Sequence, residues 1–389
     1  MSPAAGTDAI NNLIRVLSPG SRAACKAGLL LSVTANLDVR RKSPQNKNVA
    51  AELRSTEDAV DRRDIIAIGG SFGAVSAVQR LCHDLPADLG AAVFIVIHVG
   101  PSGTNQLASI FNERSSLSVT TAAEGELVRK GHVYVAPADR HLLVIDGRIR
   151  LGYGPRENMA RPAIDPLFRS AAVGFGSRMI AVVLTGLLND GAAGLADVKR
   201  CGGTTVVQNP ADAEAPDMPM SALRASDVDY RSSLSDLAAL LVKLSREQAG
   251  PRMEIPSEIR TEVEIALGNS ASSDVVAGIA DPVPLSCPAC GGVLSQVRRG
   301  PLRFRCQVGH AYTADILADQ QEDAVDEALR VALRIMEERA IVTQKLAEEA
   351  RMAGRTAAAA SYGDRLRESR GYADTLRRAI ERATSADVS

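Results

Sequence analysis

Three polar side chains stand where apolar runs end. Ser71 lies in Gly69-Gly70-Ser71-Phe72-Gly73, directly after the β-branched run Ile65 to Ile68 and ahead of a helical pattern that continues through Leu81. Small neighbours permit a sharp strand-to-helix turn with outward-facing backbone N–H groups, a place to hold an anion. Such turns also bind phosphates or merely pack, so the serine needs a base before it can be read as a nucleophile. His98 closes the next apolar run, Ala91 to Ile97, and Asp190 follows Met179 to Leu184 in Leu184-Thr185-Gly186-Leu187-Leu188-Asn189-Asp190-Gly191. In a parallel sheet all three emerge at the carboxyl edge, where open α/β sheets build their sites. The chemistry open to them is acyl transfer: Ser71 attacks a carbonyl, His98 takes and returns the proton, and Asp190 fixes the imidazole tautomer and stabilises its cation. The plainer uses are a histidine bonded to a strand-end carbonyl and an aspartate capping a helix. His83, His132 and His141 lack the strand-end placement.

A second set of chemistry-bearing residues sits near the C-terminus. Cys287-Pro288-Ala289-Cys290 is followed, after fifteen intervening residues, by Cys306 and then His310. Paired knuckles of this kind suit tetrahedral zinc, and with all four ligand positions filled the expectation is a structural zinc, with no cofactor for catalysis. A small apolar core with reduced thiols is the alternative. Arg298, Arg299, Arg303 and Arg305 read as a solvated surface. Cys25, Cys82 and Cys201 read as plain thiols.

The elements that must position these residues follow from the apolar pattern. Runs at Ala91 to Ile97, Met179 to Leu184 and Thr204 to Val207 alternate with helical patterns at Thr104 to Arg114, Asp165 to Val173 and Ala192 to Arg200. That alternation predicts an α/β fold with a doubly wound, mostly parallel sheet. His132 to Val135, Leu142 to Ile145 and Arg148 to Leu151 read as short strands, with Asp146-Gly147 as a hairpin turn, an insert expected to extend the sheet with antiparallel strands. Leu234 to Leu244 reads as a closing helix.

The organisation expected is an irregular, mobile leader over 1–61, a catalytic domain over 62–247, a linker over 248–284, a zinc-ribbon-like segment over 285–316 and a helical hairpin over 317–385. Two stripes predict the hairpin, Leu329, Leu333, Met336, Ala340, Thr343 and Ala347 against Tyr362, Leu366, Ser369, Ala373, Leu376 and Ile380, with Gly354 between them. The 389 residues carry 45 basic and 46 acidic side chains, so no global field draws the protein to nucleic acid or an anionic membrane. Aromatics are 3% with no Trp, which makes the core aliphatic and disfavours base stacking. No apolar run approaches the roughly 18 residues of a membrane span, and a cytoplasmic protein without direct membrane insertion is expected.

From about Asp64 to Asp229 the sequence resembles the catalytic domain of the bacterial chemotaxis protein-glutamate methylesterases, the CheB family. The resemblance is carried by Ile68-Gly69-Gly70-Ser71, His98, Tyr134-Val135-Ala136-Pro137-Ala138-Asp139-Arg140-His141, Arg161-Pro162-Ala163-Ile164-Asp165-Pro166-Leu167-Phe168 and Leu184 to Gly194, in that order. It implies a triad of Ser71, His98 and Asp190, and hydrolysis of glutamate methyl esters on methyl-accepting chemotaxis receptors or related signalling proteins, with glutamine deamidation by the same acyl-enzyme logic. Phe72 and Leu187 are the candidate oxyanion-hole residues, through backbone N–H groups. The sequence departs from the family pattern at Ile97 and Val99-Gly100 around the histidine, where Gln and Met-Pro are common, and at Leu187 and Leu188, which replace a methionine and a glycine. Sixty irregular residues stand where many members carry a phosphorylatable receiver, so control through a receiver of its own is not expected. The competing function is a signalling adaptor that keeps the fold and has lost turnover; Ser71, His98 and Asp190 argue against it.

Overall fold

The computed structural model describes residues 61–98, 106–269 and 272–386, all within one compact unit, Val60–Ser389. The expected leader, apart from Asp61, lies outside the described residues, as do Cys25 and the segment 99–105.

The central sheet is built from the short aliphatic runs. In chain order its strands and helices are β1 (Ile65–Gly70), α1 (Ala74–Asp84), β2 (Ala92–Ile97), α2 (Leu107–Asn112), β3 (Ser118–Thr121), β4 (His132–Val135), a hairpin of β5 (His141–Ile145) and β6 (Arg148–Gly152), α3 (Ile164–Phe175), β7 (Met179–Val183), α4 (Ala192–Arg200), β8 (Thr204–Gln208), α5 (Asp217–Ala225), β9 (Tyr230–Ser232) and α6 (Leu234–Arg246). Seven strands run in the order β3-β4-β2-β1-β7-β8-β9, and every pairing among them is parallel. The chain winds outward from β1 through β2, then crosses back to β7 on the other side of β1. The switch point of the sheet therefore lies beside β1, which is where such sheets open a crevice.

Alternation of side chains divides the core between the two faces. Ile65, Ala67, Phe94, Val96 and Ala181 pack with α3, α4, α5 and the hairpin. Ile66, Ile68, Val93, Ile95, Val182 and Val206 pack with α1, α2 and α6. Strands buried on both faces must read as continuous aliphatic runs, and these do. The expected antiparallel extension is corrected here: β4 joins the sheet in parallel, and among the described strands β5 and β6 pair with each other rather than with the sheet, turning at Asp146 and Gly147, both at positive φ.

Where a linker was expected over 248–284, two helices form, α7 (Ser257–Leu267) and α8 (Ser273–Ile279), followed by β10 (Ala280–Ser286). Ile259, Val263, Ile265 and Ala266 are buried, so four apolar contacts outweigh the signal of Pro251, Pro256, Pro282 and Pro284 around them. β10, β11 (Val293–Val297), β12 (Arg303–Cys306) and β13 (Ala311–Thr313) make an antiparallel four-stranded ribbon. The chain ends in α9 (Ala314–Met352) and α10 (Thr356–Ala386), reversed at Gly354 (φ 68°). Small residues face each other across that hairpin: Ala340, Thr343 and Ala347 are buried on α9, Ser369 and Ala373 on α10. No described helix is long and apolar enough to cross a membrane.

Candidate active site

Strand register brings the serine and the histidine together. Gly70 of β1 pairs with Ile97 of β2, so Ser71 and His98 are the next residues out of two adjacent parallel strands, which run roughly 4.8 Å apart. The His98 backbone N–H donates to Gly70 O at 3.3 Å, and the Ser71 N–H donates to Thr185 O, beyond the end of β7, at 3.0 Å. The turn after Ser71 passes through Gly73 at φ 76°, a left-handed conformation open to glycine, where a β-carbon would also run into Glu214. Thr185 pins the turn from the other side: its hydroxyl donates to Phe72 O at 3.1 Å and accepts from the Ala215 N–H at 2.8 Å.

Asp190 completes the constellation. Its Oδ2 lies 2.7 Å from His98 Nε2 and accepts from the Ile164 N–H at 2.6 Å, while its Oδ1 accepts from Asn158 Nδ2 at 2.9 Å and the Gly191 N–H at 3.0 Å. The side chains differ in exposure, 22% for His98 and 1% for Asp190, so the acid is sealed while the imidazole reaches solvent. Burial pushes the Asp190 carboxyl up. The hydrogen bond and charge of His98, with the Ile164 and Asn158 donors, outweigh it and hold the pKa below the usual value. Nε2 faces Asp190, which leaves Nδ1 as the ring nitrogen without that partner. At the strand end beside that of Ser71, a buried carboxylate thus supports any charge on a part-exposed imidazole.

Phe72 and Leu187 stand on the two turns that flank Ser71, and both side chains are exposed. Among the described residues no acceptor is bonded to the backbone N–H of either. Leu188, the next residue after Leu187, is also exposed.

Two further residues at this site were not singled out from the sequence. Asn158 and Met159 form the tip of a tight turn, at φ 50° and 64°, closed by reciprocal hydrogen bonds between Glu157 and Ala160 of 3.2 and 2.9 Å. Left-handed backbone at a non-glycine residue costs on the order of 1–3 kcal/mol. Asn tolerates it better than most, which is the one sequence signal that marks this position. Asp165, on α3, accepts from Gly194 and Gly191 N–H at 2.6 and 3.1 Å and from Asn158 Nδ2 at 3.0 Å. Burial, with Asp190 and Glu157 nearby, pushes its carboxyl up to about 7 against the pull of Arg169.

The remaining histidines stay apart. His83 pairs with Asp84 on the surface, and His132 meets Thr120 Oγ1 at 2.9 Å. His141 is fully buried between Pro155 O and the Ala163 N–H, and burial holds its pKa down. Cys82 and Cys201 are buried, with thiols pushed up to about 12 and therefore poor nucleophiles.

At the ribbon, the ligand atoms of Cys287, Cys290, Cys306 and His310 all lie within 4.8 Å of one another. Cys290 and Cys306 sulfurs are 3.7 Å apart, and His310 Nδ1 lies 3.5 and 3.8 Å from Cys306 and Cys287. Zinc–sulfur bonds of ~2.3 Å in a tetrahedron set sulfurs roughly 3.8 Å apart, so the four side chains fit that ion. Left-handed Gly291 and Gly309 turn the two knuckles. The expectation of a solvated arginine face is corrected: Arg303 and Arg305 are buried, at 2% and 0% exposure, because they face Glu262 and Glu157 across the junction with the catalytic sheet.

Residues 66–241 match the CheB methylesterase family profile. A Leptospira interrogans protein provisionally named protein-glutamate methylesterase/protein-glutamine glutaminase is 37% identical over 190 residues, which is 49% of this chain and 98% of that protein. The chain belongs to the CheB methylesterase family. Its CheB-type catalytic domain is similarly matched by a protein-glutamate methylesterase/protein-glutamine glutaminase of Symbiobacterium thermophilum, 38% identical over 190 residues, 48% of this chain and 52% of that protein. The crystal structure of the Thermotoga maritima CheB methylesterase catalytic domain, 32% identical, covers 46% of this chain and 98% of that one with a TM-score of 0.45.

Proposed function

We propose that the protein is a serine hydrolase that demethylates glutamate methyl esters on bacterial chemoreceptors, in the cytoplasm, through an acyl-enzyme. The observation that carries the reading is the 2.7 Å contact between His98 and the buried Asp190, on the strand beside Ser71. Ser71 Oγ attacks the ester carbonyl as His98 Nδ1 takes its proton; His98 returns that proton to the departing methoxide, and methanol leaves. Water, deprotonated by His98, then attacks the Ser71 ester; His98 returns that proton to the departing Ser71 Oγ, and the glutamate side chain leaves as its carboxylic acid, which ionises in water. A glutamine side chain enters the same cycle with ammonia as the leaving group. The backbone N–H groups of Phe72 and Leu187 are the proposed donors to the oxyanion, each worth on the order of 3 kcal/mol at the transition state.

The exposed apolar side chains of Phe72, directly after Ser71, and of Leu187 and Leu188, in the loop that leads to Asp190, support a protein substrate that lays an apolar face beside its esterified side chain. Cys287, Cys290, Cys306 and His310 would hold a structural zinc, which when bound ties the two knuckles of the ribbon together and supplies folding energy. The test is methanol release from enzymatically methylated receptors by wild type and Ser71→Ala. Release that depends on Ser71 is expected; receptor binding without release by wild type would replace the enzyme with an adaptor.

A further inference from the structure

The ribbon reaches the site through Asn158. β13 runs beside the turn that carries Asn158: the Asn158 N–H donates to Ala311 O at 2.9 Å, and the Thr313 N–H donates to Asn158 Oδ1 at 3.1 Å. The amide nitrogen of the same side chain donates to Asp190 Oδ1 at 2.9 Å and to Asp165 Oδ2 at 3.0 Å. With its oxygen on a backbone N–H and its nitrogen between two carboxylates, the amide has one orientation that satisfies every partner. A second strand of contacts runs parallel to the first. Thr313 Oγ1 donates to Asn189 Oδ1 at 2.8 Å, and Asn189 Nδ2 donates to Asp315 Oδ2 at 3.2 Å, so the residue preceding Asp190 is also held by the C-terminal region. The residue preceding Asn158 is held as well, since Glu157 takes an ion pair of 2.8 Å from Arg305.

We infer that Asn158 is the positioning residue for Asp190 and that the docked ribbon, through Ala311 and Thr313, is what fixes Asn158, so that ribbon docking is a condition of full turnover. The inference rests on the reading of Ser71, His98 and Asp190 as the triad. The physical reason is the strained turn. Asn158 and Met159 both sit at positive φ, and a turn in that conformation persists only where its surroundings hold it. Released from β13, Asn158 can relax and take its two donors away from the carboxylates, after which Asp190 is free to rotate away from His98. The ribbon thus acts on catalysis without touching substrate.

The full chain carries the test. Thr313 has φ −68°, which proline can adopt, so Thr313→Pro removes the N–H that reaches Asn158, together with the Oγ1 donor to Asn189, with the backbone angle kept. Methyl-ester turnover is measured for Asn158→Ala, Thr313→Pro and a ribbon control, Arg298→Ala, whose side chain meets Asp281 on the exposed face. In parallel, histidine-selective nitrogen-15 labelling reads the ring protons; with 5 histidines in the chain the His98 signal is assignable by His98→Gln. For both Asn158→Ala and Thr313→Pro a fall in kcat of about 10- to 100-fold with KM changed less than about threefold is expected, together with loss of the proton shared by His98 and Asp190. Arg298→Ala keeps the wild-type values. Unchanged kcat in the first two variants overturns the inference, as does a fall that merely tracks loss of folded protein while the His98 proton stays in place. A wild type that hydrolyses no ester, with a His98 proton that still vanishes in both variants, overturns the esterase reading and supports the positioning.

Discussion

The carboxyl edge of the sheet and the junction with the ribbon both gather charged side chains, and they treat them in opposite ways. At the edge, one carboxylate supports one imidazole, and the imidazole reaches solvent. At the junction, Arg169, Arg303 and Arg305 face Glu157, Asp197 and Glu262, all at 2% exposure or less. Glu262 alone meets three guanidiniums, with closest approaches of 2.6 Å to Arg303, 3.1 Å to Arg305 and 3.6 Å to Arg169. On the proposed function, the edge serves a charge that changes during reaction, whereas the junction holds charges that do not. Burial is common to both, so the charge of the neighbours decides the outcome: His98 holds the Asp190 carboxyl low and three guanidiniums hold Glu262 low, whereas Asp165, crowded by Asp190 and Glu157, is pushed up to about 7.

The comparison breaks most visibly at the edge. Asp190→Asn is expected to lower kcat by about 10⁴-fold while the protein stays folded, because an amide neither fixes the reactive tautomer nor stabilises the imidazolium; kinetics and circular dichroism on one preparation check it. Glu262→Ala should do the reverse. It leaves three buried guanidiniums without their shared partner, an effect on the order of 3–5 kcal/mol on stability read by denaturant unfolding, and it loosens the ribbon first, read by limited proteolysis.

Acid sharpens the contrast. Burial pushes Glu262 up, but Arg169, Arg303 and Arg305 outweigh it and hold the pKa well below the ordinary 4.5. A carboxyl that is more acidic when folded stabilises the fold above its unfolded pKa, and that contribution is lost as pH falls toward the folded one. Wild-type stability should therefore drop as pH falls below about 4.5, and Glu262→Gln, less stable at pH 7, should show a flatter profile in thermal melts. Metal analysis addresses the ribbon itself: near-stoichiometric zinc is expected in protein purified without chelator, and Cys290→Ser should lose most of it. The smallest effect belongs to the outer hairpin, where Arg334→Ala removes an exposed pair with Glu338 and should change unfolding free energy by less than about 0.5 kcal/mol.

Much of the edge was legible in the sequence because strand ends are. Ser71 and His98 directly follow paired strands, so parallel register carries both to one edge, and Asp190 follows the next central strand at the same edge through a short loop. The CxxC and CxxxH spacings were equally local, and the structure brings their ligand atoms together. The junction was not legible. Arg303 and Arg305 lie two apart on β12 and so share a face, but that face is buried against charges from residues 157, 197 and 262, and no periodicity along the chain records such partners. Helix α7 hid for a related reason: its buried stripe is short, and Glu262 within it reads as surface until the arginines are in view. Asn158 occupies a turn, where pattern gives no face at all.

The central claim is that Ser71 is an activated nucleophile served by His98. The most direct test is mass spectrometry of the intact protein and its peptides after treatment with a fluorophosphonate, comparing wild type with His98→Ala. A single adduct on the peptide containing Ser71, formed far more slowly in His98→Ala, is the predicted result; no adduct, or an adduct on another serine at a rate indifferent to His98, would contradict it.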